Sequence, residues 1–221
     1  MTRTRWIWLV LILLYAAFFG WYTSFEGPLT DKEVAYYIER FENREPPLGP
    51  ERVEMLRKFM EEDTGDDFVM VNVIDMYGEP LQIEGVEPGE TSEEVLEKYM
   101  QYMYPALFSR ASHPVLYGQA ANRAMDIMNA EGMEQWTQGA GMRYRSRRDM
   151  LEISTNPAFA GSHAFKVAAM RKTIAFPIDP WLQLGDPRLV LALLLGLVGC
   201  ALSWREAARS TVGPGMGSRA N

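Results

Sequence analysis

The chain has 221 residues with one cysteine, two histidines and a formal net charge of −7, room for one soluble domain plus accessory segments. Taking six arginines and Glu206 of the two terminal segments from that total leaves residues 24–187 at −12, a domain that repels phosphate backbones and excludes nucleic acid as a partner. The lone Cys200 excludes a disulfide framework, a Cys-rich metal site and haem attachment through CxxCH.

From Trp6 to Tyr22 the chain reads WIWLVLILLYAAFFGWY, without a charge. A bilayer core of about 30 Å needs about 20 apolar residues, so this stretch is read as a membrane anchor over residues 1–23. A cleaved signal peptide fits less well, because Phe18, Phe19, Trp21 and Tyr22 stand where a cleavage site needs small residues. A second uncharged run, LVLALLLGLVGCALSW, ends at Trp204 and predicts a transmembrane helix over 181–204, followed by a flexible cytoplasmic tail over 205–221. Two buried helices of a soluble protein are the alternative. Trp6, Trp8, Trp21 and Tyr22 around the first helix, and Trp181 and Trp204 around the second, are placed as interfacial belts in contact with the lipid bilayer. Arg3 and Arg5 precede the first helix and Arg205, Arg209 and Arg219 follow the second, whereas Lys32 is the first basic residue after Tyr22. That bias places both termini in the cytoplasm and the middle domain in the periplasm, consistent with a bacterial inner-membrane protein.

Residues 24–66 are read as a helical lead-in. Thr30 and Glu33 form a capping box ahead of Val34, Tyr37, Ile38 and Phe41 at helical spacing. Pro46, Pro47, Gly49 and Pro50 end that helix, and Pro50 opens another carrying Val53, Leu56, Phe59 and Met60. FVMVNVIDM, residues 68–76, predicts a strand buried on both faces. Thr91 and Glu94 cap a long helix with Val95, Tyr99, Tyr102, Met103 and Leu107 on its apolar stripe. HPVLYGQAA from His113 predicts the next strand.

QWTQGAGMRYR alternates, placing Gln138, Ala140, Met142 and Tyr144 on one face and Gly139, Gly141 and Arg143 on the other. Its glycines lie inside a strand, which excludes a dinucleotide-binding turn. They mark close approach by another backbone or a ligand. Arg143, Arg145, Arg147 and Arg148 are read as a solvated, salt-bridged surface, with anion recognition and a protein interface as alternatives. Ser146 and Asp149 cap a helix, a second helical piece follows, and RKTIAFPID over 171–179 closes a β-α-β-β-α-β order over residues 67–180. The fold class is therefore α+β, a ferredoxin-like domain flanked by two transmembrane helices.

FVMVNVIDM, HPVLYG, MRYRSRRDM and AFAGSHAFK, with Trp136 seven residues before Arg143, resemble a family in the dimeric α+β-barrel superfamily, the domain of unknown function 1330 family, from Glu51 to Asp179. The resemblance implies that two such sheets pair face to face into a barrel. It implies relatives among cofactor-free monooxygenases and small isomerases and, with extra elements, haem enzymes, but supplies no catalytic set. TQGAG departs from the Ile/Val-filled strand of that family, so either a cavity is enlarged or a packing contact replaces side-chain filling. The two anchors also depart from its soluble form.

Candidate residues are few. Asn72, in an apolar strand, either braces a neighbouring strand or lines a cavity. Asn72, Gly139, Gly141 and Arg143 form the candidate ligand cavity, and Asn72, His113 and Arg143 are the weak catalytic candidates. His113 and His163 fall on different elements and no metal or cofactor is expected. The methionines, including Met55, Met60, Met70, Met76, Met100, Met103 and Met142, are placed at core positions. Two functions fit. One is a membrane-anchored accessory protein that associates with itself or with a membrane complex. The other is a cofactor-independent enzyme or binder of a small hydrophobic ligand.

Overall fold

The computed structural model describes residues 2–45, 47–157 and 161–211. It divides into two compact units, one formed by Thr23–Trp181 and the other by Met1–Tyr22 together with Leu182–Asn221.

The terminal unit pairs helix α1 (Arg3–Tyr22) with helix α7 (Pro187–Thr211). Both are long and apolar enough to cross a membrane. They run antiparallel. Trp8 donates from Nε1 to Ser203 Oγ at 3.1 Å and Arg3 lies 3.5 Å from Glu206, while at the other end the Arg188 guanidinium sits 5.4 Å from the Tyr22 ring. A Cβ on Gly199 would meet the Trp8 ring at 2.7–2.9 Å, so the missing side chain lets the indole lie against the α7 backbone. Trp8 and Tyr22 thus point along the helix pair, whereas Trp6, Trp21 and Trp204 are exposed. The second helix starts at Pro187 rather than 181, because Asp186 accepts the Arg188 N–H at 2.7 Å and proline suits a first turn. Trp181 lies outside the helix and is exposed. The helix continues past Trp204 to Thr211, and residues 212–221 of the expected tail lie outside the described residues.

The central unit contains α2 (Asp31–Glu42), α3 (Pro50–Glu61), β1 (Phe68–Met76), α4 (Ser92–Ser109), β2 (His113–Gln119), β3 (Gln138–Tyr144), α5 (Arg147–Ser154), α6 (His163–Ala169) and β4 (Met170–Ile178). Both capping boxes form: Glu33 and Glu94 each accept from the backbone N–H of Thr30 and Thr91 at 2.8 Å. Ser146 caps α5 by accepting from Asp149 N at 3.1 Å. The four strands are antiparallel in the order β2-β3-β1-β4, the ferredoxin-like arrangement expected of β-α-β-β-α-β.

Strand alternation divides the sheet into two faces. Ile74 and Met76 of β1 pack under Val95 of α4 and Ala168 and Ala169 of α6. Met142 and Tyr144 of β3 meet Met103, Ala106 and Leu107 of α4 and Ile153 of α5. The lead-in joins this layer, since Val34, Tyr37, Ile38 and Phe41 of α2 and Val53 and Met60 of α3 enclose Leu151. Residues 24–66 therefore fold as part of the same unit as the sheet. Among the described residues no helix of the central unit packs on the other sheet face; the centre of β1 from Met70 to Val73 is only half-buried, and the expectation of burial on both faces is corrected. Met60, Met76 and Met103 are core residues, but Met55 is exposed because it lies off the Val53–Met60 face of α3.

The arginines after Gly141 join these layers. Arg147 pairs with buried Asp63 at 3.5 Å, lies over the Phe59 ring and donates to the Phe59 carbonyl. Asp63 also accepts from Leu29 N at 2.8 Å and Gly65 N at 3.1 Å. Gly65 has φ +83° and any Cβ there would sit 2.5–2.9 Å from the Gly27 backbone, so the two loops approach only because residue 65 has no side chain. Arg148 clamps the lead-in by donating to Glu33 at 2.7 Å and Glu26 at 3.1 Å. Arg145 pairs with Asp149 at 2.8 Å, and Arg110 reaches Glu152 at 3.0 Å.

Two outcomes follow from these contacts. The Arg148 hydrogen bond is the largest cause that holds Glu33 down to about 2, against the opposing effect of burial and with help from the Thr30 hydrogen bonds. A depressed carboxylate stabilises the fold above its unfolded pKa and loses that contribution as pH falls from about 4.5 towards 2. Glu33→Gln should therefore flatten the acid arm of an unfolding-midpoint titration by about 1 kcal/mol after solvent screening, and an unchanged arm would show the clamp to be inert. In micelles, Gly199→Ile should lower unfolding stability by about 1–3 kcal/mol through overpacking, whereas Cys200→Ala, on an exposed position beside it, should not.

Candidate functional site

Pairing registers place the side chains of the helix-free face in rows. Ile178, Val69, Arg143 and His113 form one row; Phe176, Val71, Gly141 and Leu116 the next; Ile174, Val73, Gly139 and Gly118 the third. The β4 side is a ridge, with Ile174, Phe176 and Ile178 each at least 40% exposed. On the β2–β3 side, Gly118, Gly139 and Gly141 lower the floor, and Leu116 stands exposed beside them. The two glycines of β3 differ. A Cβ on Gly141 would touch Val69 and Val115 side chains at 3.3 Å, so packing has replaced filling there. Val115 is the extra residue where the β2–β3 register shifts. A Cβ on Gly139 would meet only the Asn72 carbonyl, at 3.9 Å, so the floor is open at that point.

Arg143 is fully buried rather than solvated. Its Nε donates to Asp67 Oδ2 and its Nη1 to the Ala111 carbonyl, both at 2.7 Å. The strand places it at the covered end of the face, where the α4–β2 turn and the segment before β1 supply oxygen atoms. The whole Arg143–Arg148 group is ion-paired as expected, but Arg143 and Arg147 are buried, because their partners lie 76 and 84 residues away in sequence and close over them. Asn72 lies on the helix-facing side, opposite Ala140 and Ala175, and its amide donates to Met70 O of its own strand at 3.0 Å. It does not brace a neighbour, since both cross-strand neighbours are alanines. The His113 ring nitrogen lies 3.0 Å from the Pro114 carbonyl, and His163 is on α6. The structure thus brings Gly139, Gly141, Arg143 and His113 to one face and leaves Asn72 and His163 off it.

At the far end of β1 the register slips between Asp75 and Met76 and opens a polar cleft of about 440 Å3 lined by Asp75, Glu93, Gln135, Thr137 and Arg171 among others. Asp75 is buried and accepts from Arg171 Nε at 2.7 Å. Thr137 Oγ1 accepts from Met76 N at 3.0 Å and donates to the Ile74 carbonyl at 3.1 Å. These groups hold the bulge. Sequence reasoning passed over Asp75, although an acid inside an apolar strand was a readable signal. Among the described residues no group of three or more His, Cys, Asp or Glu side chains is placed to hold a metal.

Similar folds are known. A crystal structure of the methylated RPA0582 protein is 19% identical with TM-score 0.49, covering 60% of this chain and 93% of that one. A second, of the RPA0582 protein of unknown function from Rhodopseudomonas palustris, is 18% identical with TM-score 0.47, covering 59% and 94%. SnoaB, a cofactor-independent oxygenase from Streptomyces nogalater, is 12% identical with TM-score 0.32, covering 55% and 99%. No family model matches the chain and no curated protein is significantly similar to it.

Removing the guanidinium would strand Asp67 and the Ala111 carbonyl, so Arg143→Met should cost about 3 kcal/mol in urea unfolding. Arg143→Lys should recover part of that cost. Gly139→Ala should be nearly neutral in the same measurement and Gly141→Leu should not; equal effects would contradict the difference between the two floors.

Proposed function

We propose that this chain is a membrane-tethered interaction module whose helix-free sheet face docks against a second copy of itself. The observation that carries this is the pairing of an exposed Ile174–Phe176–Ile178 ridge with a glycine floor on the same face. A two-fold interface presents one patch to itself, so each ridge lies over the other copy's floor. Exposed apolar surface of this kind marks an interaction site. Buried ion pairs around Arg143 support a rigid platform rather than a reacting group. The domain of unknown function 1330 resemblance agrees with sheet-to-sheet pairing. Antiparallel pairing of α1 with α7 supports a topology with both termini on one side. The excess of arginine there supports a cytoplasmic position for that side and a periplasmic one for the module, as an accessory part of a bacterial inner-membrane assembly.

A second reading rests on the open floor at Gly139. Closed beneath a partner sheet, that space would hold a small hydrophobic ligand, for binding or for cofactor-independent chemistry, with Val73 and Ile174 in the row of Gly139 and with His113 and Arg143 two rows away on the same face.

Differently tagged copies expressed together should co-purify in mild detergent, and Phe176→Lys with Ile174→Lys should abolish this while leaving the sheet intact by circular dichroism. A monomer in native membranes sinks the reading; co-purification of another protein that survives the substitutions assigns the face elsewhere. Gly139→Leu should leave the dimer and displace any apolar ligand seen by native mass spectrometry.

A further inference from the structure

The bulge at the end of β1 leaves a cleft whose charges are only partly engaged. Its volume of about 440 Å3 lies within the roughly 300–1,000 Å3 of small-molecule sites, and its walls include Asp75, Tyr77, Glu93, Gln135, Thr137 and Arg171. Thr137 is taken up by backbone, accepting from Met76 N and donating to the Ile74 carbonyl. Asp75 is 1% exposed, and its Oδ2 accepts from both Nε and Nη2 of Arg171. A carboxylate buried so deeply fixes one edge of the guanidinium. The Arg171 side chain is still 49% exposed, and its Nη1 has no partner among the described residues.

The opposite charge stands in the same cleft. Glu93, in the first turn of α4, is exposed and forms no hydrogen bond or ion pair among the described residues. Arg171 and Glu93 thus line one space without pairing with each other, in a unit where the arginines from Arg143 to Arg148 are all ion-paired. The Gln135 amide and the Tyr77 hydroxyl also have no partner there among the described residues. Charge then decides what fits. Asp75 and Glu93 against Arg171 leave the cleft with a negative excess inside an acidic domain, so a simple anion is repelled. A simple cation would meet the open edge of the guanidinium. A zwitterion satisfies both sides, its oxyanion taking the fixed N–H donors and its ammonium the free carboxylate.

We propose that this cleft binds a small zwitterion with an ammonium a few bonds from an oxyanion, as in a free α-amino acid or a phosphoethanolamine lipid headgroup. Arg171 holds the oxyanion, Glu93 holds the ammonium, and Asp75 is a positioning residue behind the guanidinium. The site rests on the cleft alone and not on what covers the open sheet face. Calorimetric titration of the full chain in non-ionic detergent tests it with L-serine and O-phosphoethanolamine, and with acetate and ethylamine as half-ligands. At least one zwitterion should bind one to one, with each half-ligand about tenfold weaker or more, equivalent to roughly 1.4 kcal/mol. Glu93→Gln should weaken the zwitterion by a similar factor without weakening acetate, whereas Glu97→Gln, at another exposed position of α4, should change nothing. Arg171→Gln should abolish binding; because it also strands Asp75, the exposed Glu93 position carries the decision if that variant fails to fold. Binding of L-serine identifies the soluble class, and binding of O-phosphoethanolamine alone identifies the headgroup. The proposal is overturned if neither binds, if acetate or ethylamine binds as tightly as the zwitterion, if Glu93→Gln binds as the parent does, or if Glu97→Gln weakens binding equally.

Discussion

Carboxylates drawn from three separate elements meet the arginines that follow Gly141, and the central unit depends on those meetings. Asp67 before β1 receives Arg143, Asp63 after α3 receives Arg147, and Glu33 in the first turn of α2 receives Arg148. Ion pairs on an open surface contribute little. Asp63 and Arg143 are buried, where an unmatched partner is costly and a matched one specifies a single arrangement. The lead-in helices are therefore fixed against α5 by both an apolar cluster around Leu151 and a set of directional charge contacts. Charges that would have suited a nucleic-acid or phosphate site are engaged inside the fold.

Among the described residues, the helices of the central unit cover one face of the sheet. All helices of the central unit that carry core residues pack on the side of Ile74, Met76, Met142 and Tyr144. The opposite face ends in the Arg143–Asp67 pair at one edge and the Asp75–Arg171 pair at the other. Between those polar ends lie Val71, Val73, Phe176, Ile174 and two glycines. An apolar middle with charged borders is the pattern of an interface with a core and a rim.

The terminal helices follow a different logic. Their contact rests on close packing and on a hydrogen bond between side chains. Trp8 against Gly199, with its Nε1 on Ser203, supplies both.

Much of this was written locally. Capping boxes at Thr30 and Thr91, the Pro50 helix start, the 68–76 strand and the alternation of β3 all rest on interactions spanning a few residues, so spacing alone revealed them. The strand order follows from the succession of elements, because β-α-β-β-α-β is the signature of the ferredoxin-like arrangement. The burial of Arg143 was not legible, since an arginine at a strand end is exposed or enclosed according to what Asp67 and Ala111 do from distant points in the chain. Asn72 has no cross-strand partner because alanines from two other strands sit opposite it. The difference between Gly139 and Gly141 was equally hidden, as it turns on a bulge in β2 that moves Val115 over one and not the other. Sequence by itself determined the helices, strands, apolar termini and acidic middle, because these depend on neighbours in the chain. Only the tertiary structure decided which charges are neutralised, which glycine is covered and which face is left open, because each of these depends on atoms that folding brings together from far apart.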